Sequence, residues 1–173
     1  RWRSEMTTTA TQPETKSFDV TFECLATNAG RMRTDMTATM TAPDQQSFSL
    51  ATDEGKFHGG DGSAPPPLAL FAGGLASCLV TQLRAFSKRL RIPAGEITVT
   101  ARLHWRGHQT GRDPYTTEPV GFELDIDLNS DAPVEDQLAL IEAAKKGCFV
   151  EQTLARENHI AHRLRAGSDW ITA

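Results

Sequence analysis

The chain contains three cysteines, Cys24, Cys78 and Cys148, and no CxxC pair. A thiolate is a strong nucleophile, so each of these thiols is a candidate reagent as well as packing material. Cys148 directly follows Gly147 and opens a predicted helix, where free N–H groups and the positive end of the helix dipole favour a thiolate. Cys78 lies in the middle of an apolar helix, where burial disfavours a thiolate unless an arginine is brought to it. By local position alone, Cys148 is the better nucleophile.

Histidines offer two further chemistries. A Cys–His hydrolase would pair a thiol with His58, His104 or His108, and His58 lies in a glycine-rich loop just before the apolar helix. A loop histidine is more often simply solvated, however, and no orienting Asp or Asn can be chosen from the sequence. His159 and His162 lie three residues apart with few further ligands nearby. We therefore expect neither a metal nor a cofactor.

Composition describes a soluble protein with few candidate macromolecular partners. The 173 residues are 39% hydrophobic and 23% charged, with a formal net charge of −4, which argues against nucleic-acid binding. The strongly apolar run 68–80 is too short to cross about 30 Å of hydrocarbon, so no membrane span is expected. Residues 1–15 are polar, which predicts a disordered tail. They lack the apolar core of a secretory signal. With three cysteines and no such signal, we expect a cytoplasmic location.

Period-two alternation of apolar and polar residues predicts two groups of strands. The predicted strands cover residues 18–24, 32–40, 46–51, 97–105, 120–128 and 169–172. Asn28 to Gly30 supplies a turn between the first two strands, and the polar residues 106–118 predict a long loop between the fourth and fifth. Cys24 falls on the apolar face of its strand, which predicts an inert, packed thiol.

Three helices are predicted between and after these strands. The first has Pro67 in its opening turn and is apolar on nearly every side to about residue 83, which predicts burial all round. Its adjacent glycines, Gly73 and Gly74, predict close packing against another helix. A second helix follows Asp131, the expected cap, and ends at Gly147, and a third starts at Cys148. Strands and helices without a strict βαβ repeat indicate an α+β fold, with a single domain over residues 16–173.

Two motifs in this frame resemble those of the OsmC/Ohr family. The segment "DEGKFHGGDGSAPPPLALFAGGLASCLVTQLRAFSKRLRIP" is similar to the family's central motif, a glycine-rich lead-in, a proline and a long helix with a cysteine. Pro67 and Cys78 keep the motif's spacing of about eleven residues. The segment "EAAKKGCFVEQTL" looks like the second signature, with Cys148 as its thiol. The resemblance extends from about Phe18 to the C-terminus.

The resemblance implies a structure, an activity and partners. The fold would be an α+β, OsmC-like fold with antiparallel sheets and two long central helices, made as an intertwined homodimer. The activity would be that of a thiol-dependent peroxidase, which reduces organic hydroperoxides in the oxidative stress response. A dithiol, in some members a lipoyl protein, would be the reductant. Carried over by position, Cys78 attacks the peroxide, Cys148 resolves the product, and Arg31 of "NAGRMR" holds the Cys78 thiolate, with Arg33 the second choice.

Two positions differ from the family's pattern. Leu68 stands where the peroxidases carry a glutamate that pairs with the arginine, and Phe149 stands where a proline usually follows the second cysteine. Asp61 or Glu54 could replace the missing carboxylate if the loop folds back. The presence of both thiols favours the peroxidase. Leu68 favours the alternative, a non-enzymatic OsmC-like dimer that binds an apolar ligand or senses oxidants.

Overall fold

The structure, a computed structural model, describes residues 14–173. Its strands are β1 Thr21–Asn28, β2 Thr34–Ala42, β3 Gln46–Thr52, β4 Thr98–His108, β5 Thr116–Asp127, β6 Arg163–Ala166 and β7 Asp169–Thr172. Its helices are α1 Pro67–Leu90, α2 Val134–Gly147 and α3 Phe149–Leu154, with a short 3₁₀ turn at Lys56–His58. All but the last two residues of the predicted tail, 1–15, lie outside the described residues.

The chain divides into two compact units, one ending at Pro66 and one running from Pro67 to Ala173. The first unit holds an antiparallel sheet in the order β1-β2-β3. The second holds the antiparallel hairpins β4–β5 and β6–β7 and all three α-helices. The α+β class with antiparallel sheets is therefore confirmed, whereas a single domain over residues 16–173 stays a prediction.

The sheet of the first unit has one apolar face, as the alternation predicts. Cys24 pairs with Ala38 and Ala38 pairs with Phe48, so their side chains share a face of the sheet. That face is exposed, with Phe22 at 58% exposure, and Cys24 is exposed as well. The prediction that Cys24 is packed in a core is therefore wrong for the single chain.

The core of the second unit forms along one line of α1. Leu75, Leu79 and Leu83 recur every four residues and are buried, as an amphipathic helix requires. The prediction that α1 is buried on all sides is wrong, because Leu68 is 52% exposed. The core continues into the second hairpin and the later helices through Leu128, Leu140, Ala144 and Cys148.

Length and composition alone would allow α1, of 24 residues, to cross a membrane. Its line of buried leucines nevertheless packs into the core of the second unit. Within residues 14–173, a Cβ added at Gly73 or Gly74 would have no atom within 4 Å. The close packing predicted there has no partner among these residues.

Three local predictions are corrected. α2 begins after Pro133 with no side-chain cap, so Asp131 is not its cap, and Glu135 and Asp136 supply the negative charge of its first turn. The predicted loop over residues 106–118 is shorter, because the β4–β5 ladder continues as far as the His108–Thr116 pair. The short strand β6 was not predicted, because its sequence, RLRA, alternates polar and apolar residues over only four positions.

Candidate functional site

The second unit brings the two predicted redox cysteines together. Cys78 lies on α1 between the buried residues Leu75 and Leu79, is half-buried and packs against the core cluster. Cys148 belongs to that cluster and is 0% exposed. Their side chains lie within hydrogen-bonding reach of each other, and both thiols are free.

Cys148 is the single residue that separates α2 from α3. Its backbone is extended, with φ −78° and ψ 109°. Its carbonyl accepts a hydrogen bond from the Gln152 N–H at 2.9 Å. The third helix, expected to start at Cys148, begins one residue later, and Cys148 is its N-cap.

Burial, not the helix end, dominates the chemistry of the Cys148 thiol. Desolvation, partly opposed by the hydrogen bond from the Glu151 backbone N–H and reinforced by the hydrogen bond with Cys78, raises the pKa of Cys148 to about 11. The thiol therefore stays protonated at neutral pH and can donate its S–H to Cys78. The expectation that the helix end favours a Cys148 thiolate is wrong, because desolvation outweighs the effect of the helix dipole.

Gly147 lets α2 approach α1 closely enough to bury Cys148. A Cβ at Gly147 would lie 2.7 Å from two ring carbons of Phe86 on α1, closer than side chains normally pack. Gly147 does not have a positive φ, so it does not end the helix in the left-handed conformation. The prediction that α2 ends at Gly147 is confirmed, but the glycine is needed for close packing against Phe86 and not for a left-handed conformation.

A carboxylate beside the thiols was missed by the sequence analysis. Glu151, on α3, has a buried Oε2 atom with no hydrogen-bond partner. Burial raises the pKa of Glu151, with Glu142 reinforcing the rise and Lys145 opposing it. The signal that could have found it is its position three residues after Cys148, at the start of the same short helix.

The two arginine candidates lie in the first unit and are held differently. Arg31 Nη1 lies 3.6 Å from Asp61 Oδ1, and both side chains are largely exposed. Arg33 Nε donates to Asp35 Oδ1 at 2.9 Å, and its Nη1 donates to Ser63 Oγ at 2.9 Å. The loop thus folds back far enough to bring the Asp61 carboxylate to Arg31. Arg33 is the more firmly oriented of the two.

A buried carboxylate fixes this glycine-rich loop. Asp53 is 2% exposed, and its Oδ2 accepts hydrogen bonds from Ser63 N at 2.9 Å and Ser63 Oγ at 2.8 Å. These bonds hold the pKa of Asp53 below its usual value. Gly60 is needed because a Cβ there would lie 1.9 Å from the Glu54 carbonyl oxygen. Since Ser63 also accepts from Arg33, the loop and the arginine share one polar network.

The other candidates do not gather into a second site. His104 is exposed on β4, while its neighbour Trp105 contacts Phe71 of α1 with ring centroids 5.8 Å apart. Adjacent strand residues point to opposite faces, so His104 points away from α1 and Cys78. Over residues 14–173, no group of three potential metal ligands is found.

An aromatic groove lies on the same unit as the thiols. Phe71, Trp105 and Phe122 contact one another edge to face, with ring centroids 5.1 to 6.2 Å apart. They line a cavity of about 470 Å³ that Leu154 of α3 also borders. Phe71 precedes Cys78 by seven residues, which is two helical turns, so both side chains lie on one side of α1.

Comparisons with known proteins agree on one family. The sequence profile of the OsmC-like proteins matches residues 60–163, which contain α1 and both thiols. A crystal structure of an OsmC-like hydroperoxide resistance protein from Jannaschia sp. CCS1 is 48% identical, covers 89% of this chain and 98% of that one, and superposes with a TM-score of 0.62. No curated protein matches the chain.

More distant structures share the fold. An organic hydroperoxide resistance protein from Elizabethkingia anophelis is 25% identical, with coverage of 77% of this chain and 86% of that one and a TM-score of 0.50. An organic hydroperoxide resistance protein OsmC from Legionella pneumophila is 20% identical, with coverage of 78% and 88% and a TM-score of 0.54. The second likeness concerns the fold alone.

Proposed function

The chain belongs to the family of OsmC-like proteins, and from that premise we propose that it is a cysteine-based peroxidase that reduces organic hydroperoxides. The observation that carries the proposal is the pair of free thiols in contact, half-exposed Cys78 and buried Cys148. A peroxidase of this kind needs one thiol that peroxide can reach and a second that waits, protonated, beside it. The name of the Jannaschia relative, a hydroperoxide resistance protein, supports the same activity.

The proposed cycle uses the two thiols in turn. The Cys78 thiolate attacks the outer peroxide oxygen, the O–O bond breaks, and the alkoxide leaves as an alcohol after taking a proton from solvent. Cys78 is then a sulfenic acid. Cys148 attacks its sulfur, the S–S bond forms and water leaves. A dithiol reductant, for which we propose a dihydrolipoyl group, exchanges with the disulfide and returns both thiols.

We assign Arg31 the task of keeping Cys78 ionised and polarising the peroxide, with Arg33 as the second candidate. A guanidinium suits this role because it stays charged in poorly solvated surroundings. The contact between Arg31 and Asp61 supports the assignment, because it provides a carboxylate despite Leu68. The more rigid network around Arg33 supports the alternative.

The aromatic groove suggests the substrate class. Its lining is mainly apolar and aromatic, so it would hold the organic group of a bulky hydroperoxide and give hydrogen peroxide little to bind. The groove borders α1, which carries Cys78, and α3, which follows Cys148. We therefore propose that it receives the aryl or alkyl part of the substrate.

A second copy of the chain is the proposed partner. The apolar face of the first sheet is exposed, and α1 leaves Leu68 and Leu70 exposed as well. Exposed apolar surface on this scale is typical of an interface. We therefore expect light scattering to give the mass of two chains, each of 18.9 kDa; a single-chain mass would contradict the homodimer. A cytoplasmic location is proposed because all three thiols are free.

Steady-state turnover tests the function and the groove together. With dihydrolipoamide as reductant, the protein should consume cumene hydroperoxide at a much higher kcat/KM than hydrogen peroxide. Trp105→Ala should lower kcat/KM for cumene hydroperoxide by about tenfold through lost contact area, since one buried aromatic contact contributes about 1 kcal/mol or more. The same variant should leave the value for hydrogen peroxide within about twofold of the wild type.

The alternative function has a distinct outcome in this assay. Consumption no faster than with free dithiol would exclude the peroxidase and favour a non-enzymatic dimer that binds an apolar ligand or senses oxidants. The observation that favours this alternative is Leu68 at the position where the peroxidases carry a glutamate. Equal loss for both peroxides in Trp105→Ala would instead show that the groove does not select the substrate.

A further inference from the structure

Glu151 is a partly buried ionisable group near Cys148 that the proposed cycle does not use. Its backbone N–H donates to the Cys148 sulfur, and its carboxylate is close enough for its charge to act on that thiol. Its Oε2 atom is buried and accepts no hydrogen bond. Buried carboxylate oxygens are normally paired, so an unpaired one beside a reactive group calls for a role.

The resolving step needs a base that deprotonates Cys148, and a carboxylate near the thiol could provide one. Cys148 attacks as a thiolate, yet burial keeps it protonated at neutral pH. No solvent can reach its sulfur directly, because Cys148 is 0% exposed. A base inside the protein must therefore take the proton when the S–S bond forms.

We propose that the Glu151 carboxylate accepts the S–H proton of Cys148 as Cys148 attacks the oxidised sulfur of Cys78. In the condensation, the two sulfurs bond, the S–O bond of the sulfenic acid breaks, and the leaving hydroxide becomes water with the proton that Glu151 received. The Cys148 sulfur is oxidised and the Cys78 sulfur is reduced, with no net gain or loss of protons. This step rests on the proposed function for its place in the cycle.

The surroundings of Glu151 fit a general base whose pKa is raised above its usual value. Lys145 and Glu142 face it from α2, while α1 contributes Cys78, which contacts Cys148. Burial and Glu142 raise the pKa of Glu151, which brings it closer to the working pH of a general base. Lys145 remains close enough to favour the carboxylate that the step requires.

An aromatic disulfide, dithiobis(nitrobenzoate), tests this without peroxide. In a Cys24→Ser background, half-exposed Cys78 should release one nitrothiolate, and Cys148 should then release a second by attacking the mixed disulfide. Glu151→Gln should leave the first phase unchanged and slow the second by about 10²-fold, the usual effect of losing a general base. Glu151→Asp, which keeps a carboxylate, should recover part of the rate, and Glu157→Gln, the same change at an exposed site, should have no effect.

The pH dependence separates proton transfer from a structural effect. The second phase of the protein with Glu151 should rise with pH only until the carboxylate ionises and then level off. In Glu151→Gln it should rise about tenfold per pH unit up to the pKa of Cys148 near 11. An unchanged second phase in Glu151→Gln, or a slow phase that levels off as before, would overturn the role of Glu151. Absent peroxide turnover with a normal second phase would overturn the peroxidase alone.

Discussion

Cys78→Ser should abolish the reduction of cumene hydroperoxide, with a loss on the order of 10³-fold or more in kcat. A serine hydroxyl cannot be oxidised to a sulfenic acid, and it is a far weaker nucleophile than a thiolate. Loss of a covalent nucleophile removes the whole path rather than one interaction, so the residual rate should equal that of free dithiol. The measurement is steady-state peroxide consumption with dihydrolipoamide as reductant.

The matched variant at the second thiol should behave differently. Cys148→Ser should still consume one equivalent of peroxide per chain and then stop at a sulfenic acid that dimedone traps on Cys78. Cys24→Ser should retain full turnover, because Cys24 lies on the first sheet and has no place in the cycle. Peroxide consumption that survives in Cys78→Ser but is lost in Cys148→Ser would reverse the two roles.

Leu83→Ala should lower the free energy of unfolding by about 2–5 kcal/mol. Leu83 is 0% exposed and contributes to the cluster that joins α1 to Leu140, Ala144 and Cys148. Truncation removes the transfer free energy of the side chain and leaves a cavity that the surrounding helices can only partly fill. Urea unfolding followed by circular dichroism would measure the loss as a lower midpoint with an unchanged slope.

The control is the same substitution at an exposed leucine. Leu138 on α2 is 57% exposed, so Leu138→Ala should change the free energy of unfolding by less than about 0.5 kcal/mol. Equal destabilisation by both substitutions would show that the core of the second unit is not centred on Leu83. It would also indicate that another surface, such as one shared with a second chain, covers Leu138.

Much of the fold follows from local patterns in the sequence. Period-two alternation places the strands of both larger sheets, because burial of one face of a strand repeats every second residue. Pro67 correctly predicts the start of α1, since a proline is tolerated where no N–H partner exists. The spacing of Pro67 and Cys78, together with the second motif at Cys148, also identifies the family.

Burial and contact could not be predicted in the same way. The sequence shows that Cys148 opens a helix, but only the packing of α2 on α1, which Gly147 and Phe86 permit, shows that its thiol is completely buried. Glu151 is one of many acidic residues in the sequence, and its isolation beside the thiols appears only when the helices are assembled. Similarly, the pairing of Arg31 with Asp61 depends on the path of a loop.

The sequence was sufficient to predict most of the elements, the family and the two candidate thiols. Only the tertiary structure shows that burial keeps the Cys148 thiol protonated, which carboxylates lie near the candidate residues and which face of α1 is buried. The physical reason is the separation along the chain over which each interaction acts. Backbone preferences and strand or helix periodicity act over a few residues, whereas desolvation and charge interactions depend on neighbours that lie far apart along the chain.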